Sequence, residues 1–153
     1  AAAEALRRAG ITEPPVPLDV LAADVGIPVR AARLPTFFSG ALIAEDGMPV
    51  ALVNAEVAED VRRRTLAHLL GHALIVLAHP DERYPRNRVR EHREADVAAN
   101  ELLLPESFVR EQARVWFNDY RYLARLFGVT EPEMVQRMRE LGIMKARGLF
   151  WEY

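Results

Sequence analysis

Two histidines four residues apart stand in the apolar run T-L-A-H-L-L-G-H-A-L-I-V, Thr65 to Val76. On an α-helix such positions differ by about 40° around the axis and about 6 Å along it, so His68 and His72 can converge on one ion. That is metal-ligand geometry. Where a His-Glu-x-x-His zinc site carries its glutamate base, however, this chain has Leu69. Two hydrogen-bonded histidines on a half-buried helix would account for the pair equally well. Gly71, between them, leaves room for another backbone or a substrate to approach the helix.

The chain has no cysteine, so any further ligand must be His, Asp or Glu. The segment E-A-D-V-A-A-N-E-L-L-L-P, Glu94 to Pro105, offers carboxylates on a second helix. Glu94 is a candidate third ligand, leaving one position of a tetrahedral zinc site open to water. Asp96 and Glu101 are candidates for the layer behind the ligands, where a carboxylate accepts the second ring N–H of a histidine and fixes its tautomer. Read as solvated helix charges, they would need no metal at all.

These residues have to be held by the elements around them. Apolar periodicity and high Ala/Leu content predict a helix from Val57 to Leu77 that carries both histidines, and a second from Val89 to Leu103 that stops before Pro105. Upstream, short helices over 1–9 and 18–25 precede extended segments at 27–32, 37–44 and 49–54, the last two separated by the turn Glu45-Asp46-Gly47. Downstream, helices are expected over 106–116, 119–127 and 131–141. A polar loop spans His79 to Arg88, and the tail Ala146–Tyr153 reads as a terminal strand. The expected fold class is α+β: a small, mostly antiparallel sheet on a helical bundle, with the metal-site helix central. One domain of 153 residues is expected, with the sheet and metal-site helices in 15–105 and a C-terminal helical part in 106–145.

Half of the residues are hydrophobic, enough for a real core, and the formal charge of -2 gives no overall attraction to nucleic acid or anionic lipid. No apolar run reaches the roughly 18 to 20 residues of a membrane span, and the first residues lack a signal-peptide layout. A cytoplasmic protein without a membrane partner is expected. Leu123 to Leu141 resembles a helix-turn-helix, with Ala124, Gly128 and Val129 at the expected places. Its second helix would present Glu131 and Glu133 to phosphates, which argues against direct nucleic acid binding. Arg83, Arg86, Arg88, Arg90 and Arg93, interleaved with acids, read as a self-paired surface. If Phe37 to Ala44 forms a sheet edge, an extended peptide could add to it as a further strand. Tyr84, Tyr120 and Tyr122 are bare candidates for stabilising an oxyanion.

The runs R-R-R-T-L-A-H-L-L-G-H-A-L and R-E-A-D-V-A-A-N-E-L-L-L-P together resemble the signature of the ImmA/IrrE family of zinc metallopeptidase-like domains. The likeness extends over P-L-D-V-L-A-A-D-V-G-I-P-V, F-F-S-G-A-L-I, A-L-V-N and L-A-R-L-F-G-V-T-E-P-E-M-V-Q-R-M-R-E-L-G, and so spans about Pro15 to Ile143. The resemblance implies a zincin-like fold and makes His68, His72 and Glu94 the zinc ligands. It also implies a protein or peptide partner, such as a helix-turn-helix transcriptional repressor that family members cleave or inactivate under stress. Leu69 departs from the family at the catalytic glutamate, and Ala98 stands where an aromatic is usual.

In such a peptidase the glutamate takes a proton from water and passes it to the leaving amine, a contribution of about 10²–10⁴-fold that leucine cannot make. Three outcomes follow. The domain has become a non-hydrolytic, partner-binding regulator that kept its fold. Alternatively it is an active peptidase with a displaced base, for which Glu91, one turn before Glu94, is the candidate. Or the ion has gone with the base, and His68 and His72 serve only the core.

Overall fold

A computed structural model describes residues 2–78 and 88–144. Its elements are α1 (Ala2–Arg8), α2 (Leu18–Asp24), β1 (Val29–Ala32), β2 (Gly40–Glu45), β3 (Met48–Asn54), α3 (Glu59–Ala78), α4 (Arg88–Leu103), α5 (Glu106–Val115), α6 (Tyr120–Phe127) and α7 (Glu131–Glu140). This is the α+β architecture expected from the sequence. The expected loop residues 79–87, with Tyr84, Arg83 and Arg86, and the expected strand at 146–153 lie outside the described residues. No described helix is long and apolar enough to cross a membrane.

The sheet has the order β1-β3-β2. β2 and β3 form the expected antiparallel hairpin, turning through Asp46 and Gly47, both at positive φ. β1 runs parallel to β3, so the sheet is mixed. A parallel neighbour requires a long crossover, and here residues 33–39 carry the chain across to the far edge. Asn54, fully buried, organises that crossing. Its Nδ2 donates to the carbonyls of Leu34, Pro35 and Phe38 at 3.1, 3.2 and 2.7 Å, and its Oδ1 accepts from the amides of Leu34 and Glu56 at 3.2 and 2.9 Å. Loop carbonyls that would otherwise lie unpaired are thereby satisfied.

α3 begins with Glu59 and Asp60, whose charges suit the positive end of the helix dipole. It runs for 20 residues, about 30 Å, beneath the sheet and against α4. Where α3 and α4 cross, the contacting residues are small: Gly71 on one side, Ala95 and Ala98 on the other. A Cβ on Gly71 would lie 2.7 Å from the Ala95 carbonyl oxygen and 3.3 Å from the Ala98 Cβ. The larger core side chains, among them Leu70, Leu102, Leu104, Val109, Phe127, Met134 and Met138, fill the space toward α5, α6 and α7.

Two consecutive arginines bind α3 to its surroundings. Arg63 donates to the Val16 carbonyl at 2.8 Å, and Arg64 donates to Asn100 Oδ1 at 2.9 Å and pairs with Glu133 at the start of α7. The turn between α6 and α7 closes at Gly128, in the left-handed conformation, and Thr130 caps α7 by accepting from the Glu133 amide. A helix-turn-helix-like pair is therefore present, but Glu133 at the front of its second helix is spent on Arg64.

Substituting Gly71→Ala would gain up to about 1 kcal/mol of helix propensity, yet push a methyl into a backbone oxygen that cannot rotate away. The expected outcome is a net loss of about 1–2 kcal/mol in urea unfolding, whereas an unchanged or raised midpoint would show that the helices can part without cost.

Candidate metal centre

The close approach of α3 and α4 brings a third histidine to the first two. His68 and His72 lie one turn apart on α3 with their Nε2 atoms 3.0 Å apart. His92 of α4 stacks on the His68 ring at 5.7 Å between centroids and meets the His72 ring edge-on at 5.1 Å. One ring nitrogen from each of the three falls within 4.8 Å of the others, a constellation with ligand potential among the described residues.

Carboxylates stand behind two of the rings. Asp96 Oδ1 lies 2.9 Å from His68 Nδ1, and Glu91 Oε1 lies 3.6 Å from His72 Nδ1. A proton placed on each Nδ1 turns both Nε2 lone pairs toward the common centre. Burial pushes His72 below the ordinary histidine pKa of 6.5, and the neighbouring His68 and His92 push it the same way against the opposing pull of Glu91. A ring that resists protonation keeps its lone pair available for a metal.

The donor set fits a divalent transition metal. Three imidazoles suit zinc, copper, iron or nickel. Tetrahedral zinc–nitrogen bonds of about 2.0–2.1 Å place two ligand nitrogens about 3.3 Å apart, close to the His68–His72 spacing. His92 is exposed, so the centre opens to solvent on the α4 side.

Of the residues singled out in the sequence, His68, His72, Asp96 and Glu91 come together, and Glu94 and Glu101 do not. Residues two apart on a helix point about 200° away from each other. Once His92 faces the α3 histidines, Asp96 one turn on shares that side and Glu94 cannot. The Glu94 carboxylate instead accepts from Arg90 Nε at 3.0 Å. Glu101 pairs with Arg137 of α7, whose Nε donates to the Leu104 carbonyl at 3.0 Å. Leu69 is 7% exposed and belongs to the hydrophobic core.

His92 is the residue that sequence reasoning missed. A signal for it was present, because His92 and Asp96 are spaced four apart like His68 and His72, and the chain has only four histidines.

The fold and this cluster define a class: an α+β domain with three histidines gathered between two crossed helices. Residues 22–139 match the family described as the IrrE N-terminal-like domain, Peptidase_M78, and the chain belongs to that family. No curated protein matches it significantly. Among solved structures, it is similar to a Mycobacterium tuberculosis transcriptional regulator, with a TM-score of 0.67 and 21% identity over 90% of this chain and 44% of that one. The chain thus spans less than half of that protein's length, and the likeness is one of fold.

Removing an outer carboxylate that orients a ligand typically costs about 10–100-fold in metal affinity. Asp96→Asn should weaken zinc binding by about that factor in a competition titration, while Glu101→Gln should leave it unchanged. The opposite order would detach Asp96 from the centre.

Proposed function

We propose that this domain is a regulatory, partner-binding member of its family that holds zinc through His68, His72 and His92 and has little or no peptidase activity. The observation that carries the proposal is the convergence of three imidazoles, two of them backed by carboxylates, beside a core leucine at the position of the base. Glu94, the ligand implied by the family resemblance, pairs instead with Arg90.

When bound, zinc would polarise a carbonyl and acidify water. The protein's own groups would orient the rings and hold a partner's backbone, with no carboxylate among the described residues placed to accept water's proton. Glu91 is a poor substitute base. It sits behind His72, on the Nδ1 side, with its side chain 14% exposed, a position suited to orienting the ring. The runner-up, a working zinc peptidase that cleaves a helix-turn-helix repressor, would require Glu91 to swing round the ring it supports.

A protein or peptide partner is supported by β2, an edge strand of the sheet among the described residues. Gly40 at its start lies against Thr65 of α3, one helical turn before the histidines, with a Cβ position 2.8 Å from the Thr65 methyl. An extended segment added to this edge would run beside the centre. Phe37, 88% exposed, and Phe38 stand at the entrance to that edge as apolar anchors. The likeness to a transcriptional regulator fits a role in a repressor circuit inside the cell, with a helix-turn-helix repressor as the partner class. Direct DNA binding is disfavoured by the pairing of Glu133 with Arg64, which docks the front of α7 on α3.

The test is hydrolysis of an unfolded protein substrate such as casein by the zinc-supplied chain and its Leu69→Glu variant, at a temperature where both are folded. The restored carboxylate should raise the rate by about 10²–10⁴-fold over a wild-type rate near background. A wild-type rate equal to that of the variant and well above background would overturn the proposal in favour of a displaced base.

A further inference from the structure

A cavity of about 720 Å³ lies between α1 and the start of α5, with Glu101 of α4 in its wall. Its volume is that of a small-molecule site, typically about 300–1,000 Å³. Leu6, Ile11, Pro105 and Phe108 give it an apolar body. The polar groups at its rim divide into those already committed and those that are not. Arg110 donates to Glu106 Oε1 at 3.0 Å and to the Leu141 carbonyl at 2.9 Å. Glu101 is held by Arg137. Arg7 has no partner among the described residues and is the one unspent charge in the lining.

The start of α5 adds donors of the same sign. Pro105 stands at the N-cap and gives no side-chain hydrogen bond. The first amides of a helix have no acceptor within it, and they lie at its positive end. Ser107, in that first turn, adds a hydroxyl to the cavity wall. An apolar chamber with an unspent guanidinium and free amides at its rim complements a molecule that is apolar in its body and anionic at one end.

We infer that this cavity binds a small organic acid, an aromatic or aliphatic body bearing one carboxylate. The body packs on Leu6, Ile11 and Phe108, and the carboxylate meets Arg7 and the α5 amides. The site is independent of the metal centre. Its wall residue Glu101 nevertheless belongs to α4, which carries His92, and pairs with Arg137 of α7, so an occupant touches one of the two helices that frame the centre.

The probe is 2-naphthoate, with 2-naphthamide as the uncharged isostere, titrated calorimetrically into the full chain. Saturable binding is expected, with the acid at least tenfold tighter than the amide. Arg7→Gln, at an exposed position, should remove most of that difference and leave amide binding unchanged. Ala3→Trp, also exposed but facing the cavity, should abolish binding of both, with circular dichroism confirming that the variants fold. No binding by the wild type at millimolar probe, as when another segment already fills the cavity, would overturn the inference. So would equal affinities for acid and amide, or binding that survives Ala3→Trp.

Discussion

Gly71 of α3 lies so near α4 that the absence of its side chain sets the distance between the two helices on which the candidate site depends. Any Cβ there would meet the Ala95 carbonyl oxygen at 2.7 Å, inside the contact distance of real side chains. With Ala95 and Ala98 opposite, the helix backbones approach closely enough for the His92 ring to reach a pair of rings one turn apart on the other helix. The same crossing fixes the rotation of α4. Ala95 faces inward, so His92 and Asp96 fall on one flank and Glu94 on the other, held by Arg90. Which acids serve the centre is therefore a consequence of packing.

Charge follows from that geometry. A site of three neutral imidazoles leaves a divalent ion its full charge, where a carboxylate ligand would cancel part of it. Asp96 and Glu91 supply negative charge one layer further out, through the rings they orient. At residue 69 the change is of another kind. Leucine there is part of the hydrophobic core, so the position contributes to stability and offers nothing to a reacting water.

Much of the fold was legible in the sequence because long, periodic segments bury one face. The α3 and α4 spans, the β2–β3 hairpin at Asp46-Gly47 and the stop before Pro105 all follow from local rules. The parallel direction of β1 was not legible. It depends on the path of residues 33–39, which Asn54 organises through five hydrogen bonds that nothing in A-L-V-N announces. At the site, spacing pointed to His68 and His72, and Asp96 was one of two candidates for orienting a histidine. Glu94 was named first as a carboxylate on the neighbouring helix and then through the family resemblance, and His92 was not weighed, because the rotation of α4 about its own axis is set by alanines whose role emerges only when the helices pack.

The measurement that bears most directly on this account is the zinc content of protein purified without chelator, compared with His92→Ala and Glu94→Gln. A three-histidine centre predicts about one equivalent in the wild type and in Glu94→Gln, and loss in His92→Ala. Zinc retained by His92→Ala and lost from Glu94→Gln would contradict it, and would mean that α4 presents its other flank to the histidines of α3.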